Sequence, residues 1–230
     1  KVNAAFASAP MLSATTHPDM VTALTRSCLK AGAASVIVTD NPINDPASCF
    51  RLSGIEQAAR SAGATVVLPQ KEFFKPYSLP QAQLIHNWPV FFNPLSRVDK
   101  TIGTAPVKDH HRSGASMIMK NWYGLLGGRR NIFHQDIHTI IQELAMMIKP
   151  TLVVLDGTTT MMHNGPTGGS LSDLKNTNTM IVSTDQVAAD AYGASLLDKT
   201  ISDLAFIEKA EAVGMGTADF KSLNPVMESL

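Results

Sequence analysis

Apolar positions in the first third of the chain fall into short blocks that switch between two periods. Residues 2–6 form an apolar run that predicts a strand. Thr16-His17-Pro18-Asp19 then offers an N-cap, a proline in the first turn and an early acid. Met20, Val21, Leu24, Cys28 and Leu29 follow at helical spacing as far as Gly32. The β-branched run at 35–39 predicts a second strand, 40–47 a polar, proline-rich loop, 53–62 a helix stopped by Gly63, and 65–68 a third strand. Strands alternating with helices predict parallel crossovers, hence an α/β fold with an open, mostly parallel or mixed sheet and helices on both faces. Such sheets carry ligands beyond the carboxyl ends of their strands.

Between 69 and 106 the periodicity weakens, with prolines at 69, 76, 80, 89, 94 and 106, and only irregular strands are expected around 83–92 and 101–107. Regular patterning returns with helices over 117–126 and 135–148, the latter stopped by Pro150. A strand at 151–155, a glycine-rich loop over 157–170, a strand at 180–183 and helices at 186–197 and 201–213 complete the expectation. Nothing marks a linker, so residues 1–230 read as one domain. Its first residues resemble the second half of a strand, as if N-terminal sequence, with or without a signal, were missing.

Composition narrows the class. The chain has 230 residues, 44% of them hydrophobic, and its 19 basic and 19 acidic side chains cancel. That balance excludes a disordered chain and offers no basic footprint for nucleic acid. No apolar run approaches the roughly 18 residues that a transmembrane segment needs. Two cysteines, Cys28 and Cys49, are too few for a disulfide scaffold or an iron-sulfur cluster held within this chain.

Candidate chemistry sits where predicted strands end: at Asp40 and Asn41, at Lys108 to Arg112, and from Asp156 through Asn164 and Gly165. Asn, Asp and Gly are also what ordinary turns use. The densest group lies between Lys108 and His138, where four histidines share the segment with Lys120, Asn121, Arg129 and Arg130. His134 and His138, four apart on an expected helix, would share a face and could ligate one metal, although the glutamate of a His-Glu-x-x-His protease is missing. His110 is a third candidate metal ligand. Gly127-Gly128-Arg129-Arg130 suggests a phosphate or carboxylate ligand, or else a helix cap with two surface arginines. The aromatics of 73–94 are either a patch for a protein partner or part of the core.

Lys1-Val2-Asn3, Thr16-His17-Pro18-Asp19, Asp40-Asn41, Lys108 with His110, Met119 to Gly124, His134 to His138, Asn164-Gly165-Pro166 and Thr184 to Asp190 together resemble domain of unknown function family 362, nearly end to end. The likeness is strongest to a subgroup with twin-arginine export signals, whose relatives are fused to iron-sulfur ferredoxin modules. It implies a periplasmic or extracytoplasmic protein, with a cytoplasmic one as the alternative, that carries a metal or cofactor. The family pattern has two cysteines in the 40–49 loop; here Ile43 stands in place of one. A fainter likeness, in the order His110, Lys120, His134, is to the lactate racemase family.

Three functions follow from these expectations. The first is binding of a metal ion or a phosphate- or carboxylate-bearing cofactor, with possible redox use, by a pocket of Lys1, Asn3, His17, Asp40, Asn41, Lys108, Asn121, Arg129, Arg130, Asp156, Asn164 and Gly165. The second is racemase-like or oxidoreductase catalysis on a small carboxylate by His110, Lys120 and His134. The third is a protein-binding accessory role.

Overall fold

The computed structural model describes residues 1–93 and 95–229. Helix α1 (Pro18–Lys30) begins where the sequence places it: the His17 ring accepts from Asp19 N at 3.3 Å, and Pro18 occupies the first turn. After strand β1 (Ile37–Thr39), the Asp45 carboxylate caps helix α2 (Pro46–Leu52) by accepting from Ser48 N at 2.8 Å. This helix takes over the end of the expected 40–47 loop, and its signal is the Asp45-Pro46 pair. Helix α3 (Ile55–Ser61) and strand β2 (Thr65–Val67) follow, with β2 parallel to β1.

Strands β3 (Phe74–Tyr77) and β4 (Trp88–Phe91) form an antiparallel pair. The Glu143 carboxylate accepts from the backbone N–H groups of Gln83, Leu84 and Ile85 and so fixes the segment between them. Phe91 is fully buried beneath Phe73 and Phe74, with centroids 6.2 and 5.2 Å away. Trp88 packs on Phe133 at 4.5 Å. The aromatics of 73–94 therefore pack against the core, Phe91 fully buried and Phe73, Phe74, Tyr77, Trp88 and Phe92 half-buried; Pro94 lies outside the described residues.

Strand β5 (Ile102–His110) pairs antiparallel with β6 (Gly114–Ser116) and parallel with β7 (Leu152–Met161), and β7 pairs antiparallel with β8 (Leu174–Ser183). Residues 1–4 join this sheet to β1: Lys1 N donates to Ile102 O at 2.7 Å, Thr104 N to Lys1 O at 3.0 Å and Val2 N to Thr39 O at 3.2 Å. The expected strand at 2–6 is thus a short extended crossing, because from Ala4 onward the backbone is taken by the Asp40 side chain and turns away.

Helices α4 (Ile118–Asn121), α5 (Ile137–Met147), α6 (Gln186–Leu196) and α7 (Ala205–Ala212) pack the larger core on one face. On the other face α1 and α3 enclose Val2, Ala4, Val38, Phe50 and Ile55. The architecture is α/β, with helices packed on three open sheets: the parallel pair β1–β2, the antiparallel pair β3–β4 and a mixed four-stranded sheet in the order β6-β5-β7-β8.

Three expectations are corrected. The glycine-rich loop of 157–170 is strand as far as Met161, since Thr158, Thr159 and Thr160 are β-branched and Gly157 admits Leu196 Cδ1 to 2.5 Å of where a Cβ would stand. Strand β8 correspondingly begins at Leu174. The helix of 135–148 is a 3₁₀ segment over Arg130–Asp136 followed by α5, capped by Asp136 accepting from Thr139 N at 3.4 Å, so His134 and His138 do not share a helical face.

Candidate functional site

Lys108 and His110 are strand residues at the carboxyl end of β5, held there by pairing with Ser116 and Gly114 of β6. His110 is 2% exposed, and its Nδ1 faces two backbone donors, Arg112 N and Ser113 N, both at 3.2 Å. A nitrogen accepting from two N–H groups carries no proton, so the neutral ring must bear its proton on Nε2. Burial, reinforced by the charge of Lys120 and by His111, His134 and Lys108, lowers its pKa to about 2. His110 is therefore a permanently neutral hydrogen-bond donor.

His134 has the opposite arrangement. Tyr123 Oη donates its one proton to Arg130 O, so the 3.1 Å contact between Tyr123 Oη and His134 Nδ1 requires the imidazole to donate; Asn131 O at 3.3 Å is a second acceptor. Its Nε2 is left with a lone pair. The two rings stack at 6.0 Å, and the His111 ring stacks with His110 at 4.9 Å while its Nδ1 meets Gly165 O at 3.4 Å. Burial followed by Lys120 lowers the pKa of His134.

Lys120 occupies the last turn of α4, with Nζ 5.3 Å over the Tyr123 ring. Among the described residues this ammonium has no hydrogen-bond or ion-pair partner. Burial, then Arg130 and Lys1, lower its pKa to about 7. Lys108 is likewise brought to about 7 by burial and then by Lys120, but its amine donates to Ala14 O and lies 5.2 Å from the Phe6 ring.

Two acids close in the fold or the chain are already engaged. Asp109 pairs with Lys199 at 2.9 Å. Asp40 binds Lys1 Nζ at 2.6 Å through Oδ1, accepts from Ala4 N at 2.7 Å through Oδ2, and caps Asn41 N. Lys1 Nζ also donates to Asn121 O and Oδ1, and Asn121 Nδ2 to Thr104 O, so Lys1, Asp40 and Asn121 form a buried structural knot rather than ligand contacts. Arg130 is likewise used up: its guanidinium donates to the carbonyls of Tyr123, Leu126, Asn41 and Pro42 at 2.9 to 3.2 Å. It contributes charge to the site but little free donor capacity.

Other residues singled out by sequence have partners of their own or lie elsewhere. Arg129 is exposed. Asn3 and Asn41 serve the backbone, accepting from Ala5 N and donating to Leu126 O. His17 caps α1 and lines, together with Asp156, a separate cleft. His138 stacks on Phe206 of α7 at 6.2 Å, away from His134. Asn164 binds Asp173, and Gly165 fits against Asp109 where a Cβ would overlap its carbonyl. Two clefts, of about 460 and 620 Å³, have none of His110, Lys120 and His134 in their walls.

A metal does not fit this donor set. Ligation through His110 Nε2 requires a proton on Nδ1, where two N–H groups already point, and a cation would face Lys120, Lys108 and Arg130. Among the described residues no group of three or more His, Cys, Asp or Glu side chains is placed to hold a metal ion.

Tyr123 and Asp190 are supports of the candidate site that sequence reasoning passes over. Tyr123 fixes the His134 tautomer. Asp190, fully buried, accepts from Ile118 N at 2.8 Å and Met119 N at 3.0 Å, which orients the short helix carrying Lys120. Their signal is present in the Trp122-Tyr123-Gly124 and Ala188-Ala189-Asp190 strings. Gly124 belongs to the same design, since a Cβ there would overlap Asp40 Oδ1.

The model of the family described as domain of unknown function (DUF362) matches residues 1–195. No curated protein and no solved structure matches the chain.

Proposed function

Because the chain belongs to domain of unknown function family 362, whose description names no activity, we propose from the geometry that it binds a small phosphate- or carboxylate-bearing compound at Lys120, between His110 and His134. One observation carries this reading: Asp40 is committed to Lys1, which leaves Lys108, Lys120 and Arg130 with no carboxylate partner among the described residues. Lys108 is buried and Lys120 and Arg130 are half-buried; cations removed from water without a counter-charge are costly, and an incoming anion supplies one. Lys120 contributes the free ammonium and His110 an Nε2–H donor that stays neutral at any physiological pH.

The opposed protonation of the two rings favours a second reading on the same site, proton transfer from the carbon beside the bound carboxylate in the manner of a racemase; an oxidoreductase would need an electron acceptor in addition. His134 Nε2 accepts a proton, while His110 donates a hydrogen bond to the oxygen that gains charge. Resemblance to the subgroup with twin-arginine signals supports an extracytoplasmic location; among the described residues no helix is long and apolar enough to cross a membrane.

Calorimetric titration with inorganic phosphate and with lactate tests the proposal. The unmodified protein binds at least one of them, and Lys120→Met weakens that binding tenfold or more while leaving the circular dichroism spectrum unchanged. Equal affinity in Lys120→Met overturns it.

A further inference from the structure

A second cleft, of about 620 Å³, opens between α1 with its preceding turn and one face of β7 and β8. That volume is ample for a small organic molecule. Its walls include Met11, Met20, Leu24, Val154, Met180 and Val182. No lysine or arginine lines it; its ionised groups are Asp156 and Asp19, with His17 beside Asp19 at 3.6 Å. It shares no lining residue with the His110–Lys120–His134 group.

Two polar groups in this wall are left incomplete. Asp156, 7% exposed on β7, accepts from Thr158 N at 3.0 Å and Thr158 Oγ1 at 2.7 Å, both through Oδ1; among the described residues Oδ2 has no partner. Thr15 is 2% exposed, and among the described residues its buried hydroxyl has no partner. A carboxylate oxygen calls for a donor, and a hydroxyl can accept from the same donor group.

We propose that this cleft binds an organic ammonium, a primary amine on an apolar body, with the charged head at Asp156 and Thr15 and the body among the methionines. An ammonium has three donors and no acceptor, so one head group can serve both oxygens. An anion would be repelled by Asp156, and a purely apolar ligand would strip water from a carboxylate without replacing it. The unbranched thioethers of Met11, Met20 and Met180 adapt to bodies of differing shape. This binding is independent of the anion site, which selects the opposite charge.

The test uses the unmodified protein labelled with ¹³C at the methionine methyls and titrated with phenethylammonium. The Met11, Met20 and Met180 methyl signals shift and saturate, whereas those of the buried Met117 and Met119 stay in place. The isosteric anion 3-phenylpropanoate produces no such shift. Asp156→Asn, which keeps the oxygen that holds Thr158, weakens the amine tenfold or more, and Thr15→Val weakens it several-fold. No response at millimolar amine, an equal response to 3-phenylpropanoate, or unchanged affinity in Asp156→Asn overturns the proposal. So does a change of the same three signals with protein concentration alone, which would give the cleft to a second copy of the chain.

Discussion

Lys108 donates to Ala14 O beside the Phe6 ring, whereas Lys120 lies over the Tyr123 ring with its ammonium unpaired among the described residues, and its charge acts on both His110 and His134. Both pKa values fall from 10.5 to about 7. In the folded chain each lysine gives up its proton near pH 7, while in the unfolded chain it keeps it until about 10.5. Stability from these two groups is therefore fully present above pH 10.5 and is lost as pH falls towards 7. Anion binding follows the opposite course: phosphate or lactate affinity, measured by calorimetry between pH 6 and 9, should weaken by about a decade per unit once Lys120 deprotonates. His110, neutral throughout, adds no slope of its own. The sequence marks Arg129 and Arg130 alike as anion ligands, yet one is exposed and the other is spent on four carbonyls. That division depends on where the Asn41-Pro42 turn passes, which no local spacing encodes.

At the scale of elements, the site depends on a four-residue helix that could not stand by itself. Asp190 of α6 accepts from the first N–H groups of α4, even though burial raises its carboxyl to about 7 against those two donors. Asp190→Ala leaves both N–H groups buried and unpaired, and should cost about 3 kcal/mol or more in chemical denaturation, with loss of anion binding in whatever remains folded. The periodicity of 117–126 reveals a helical segment, and the true element breaks after Asn121 into a 3₁₀ turn because Trp122 must insert over Gly103, where a Cβ would lie 2.6 Å from its ring. The same limit applies to His134 and His138: four-residue spacing signals a shared face only if the helix has begun, and α5 starts at Ile137. Strands fared better where β-branched runs were long, as at 35–39 and 65–68, and worse at 157–161, where a glycine and polar threonines read as a loop.

Across the whole molecule, the β1–β2 pair and the larger sheet meet at residues 1–4, and the knot of Lys1, Asp40 and Asn121 seals that seam. Asp40→Asn leaves the Lys1 ammonium buried without its counter-charge and should cost about 3–5 kcal/mol, read as a lower denaturation midpoint. Fold class was legible because alternation of strands and helices is a local pattern; this seam was not, since it joins residues 101 positions apart. Such pairing sets a schedule for assembly. While a ribosome is still making the chain, the segment at 1–4 has only β1 to rest against, and its second neighbour arrives when β5 emerges. Nascent chains halted before residue 102 should be cut by protease at 1–6 and around β1, and chains halted well past β5 should resist.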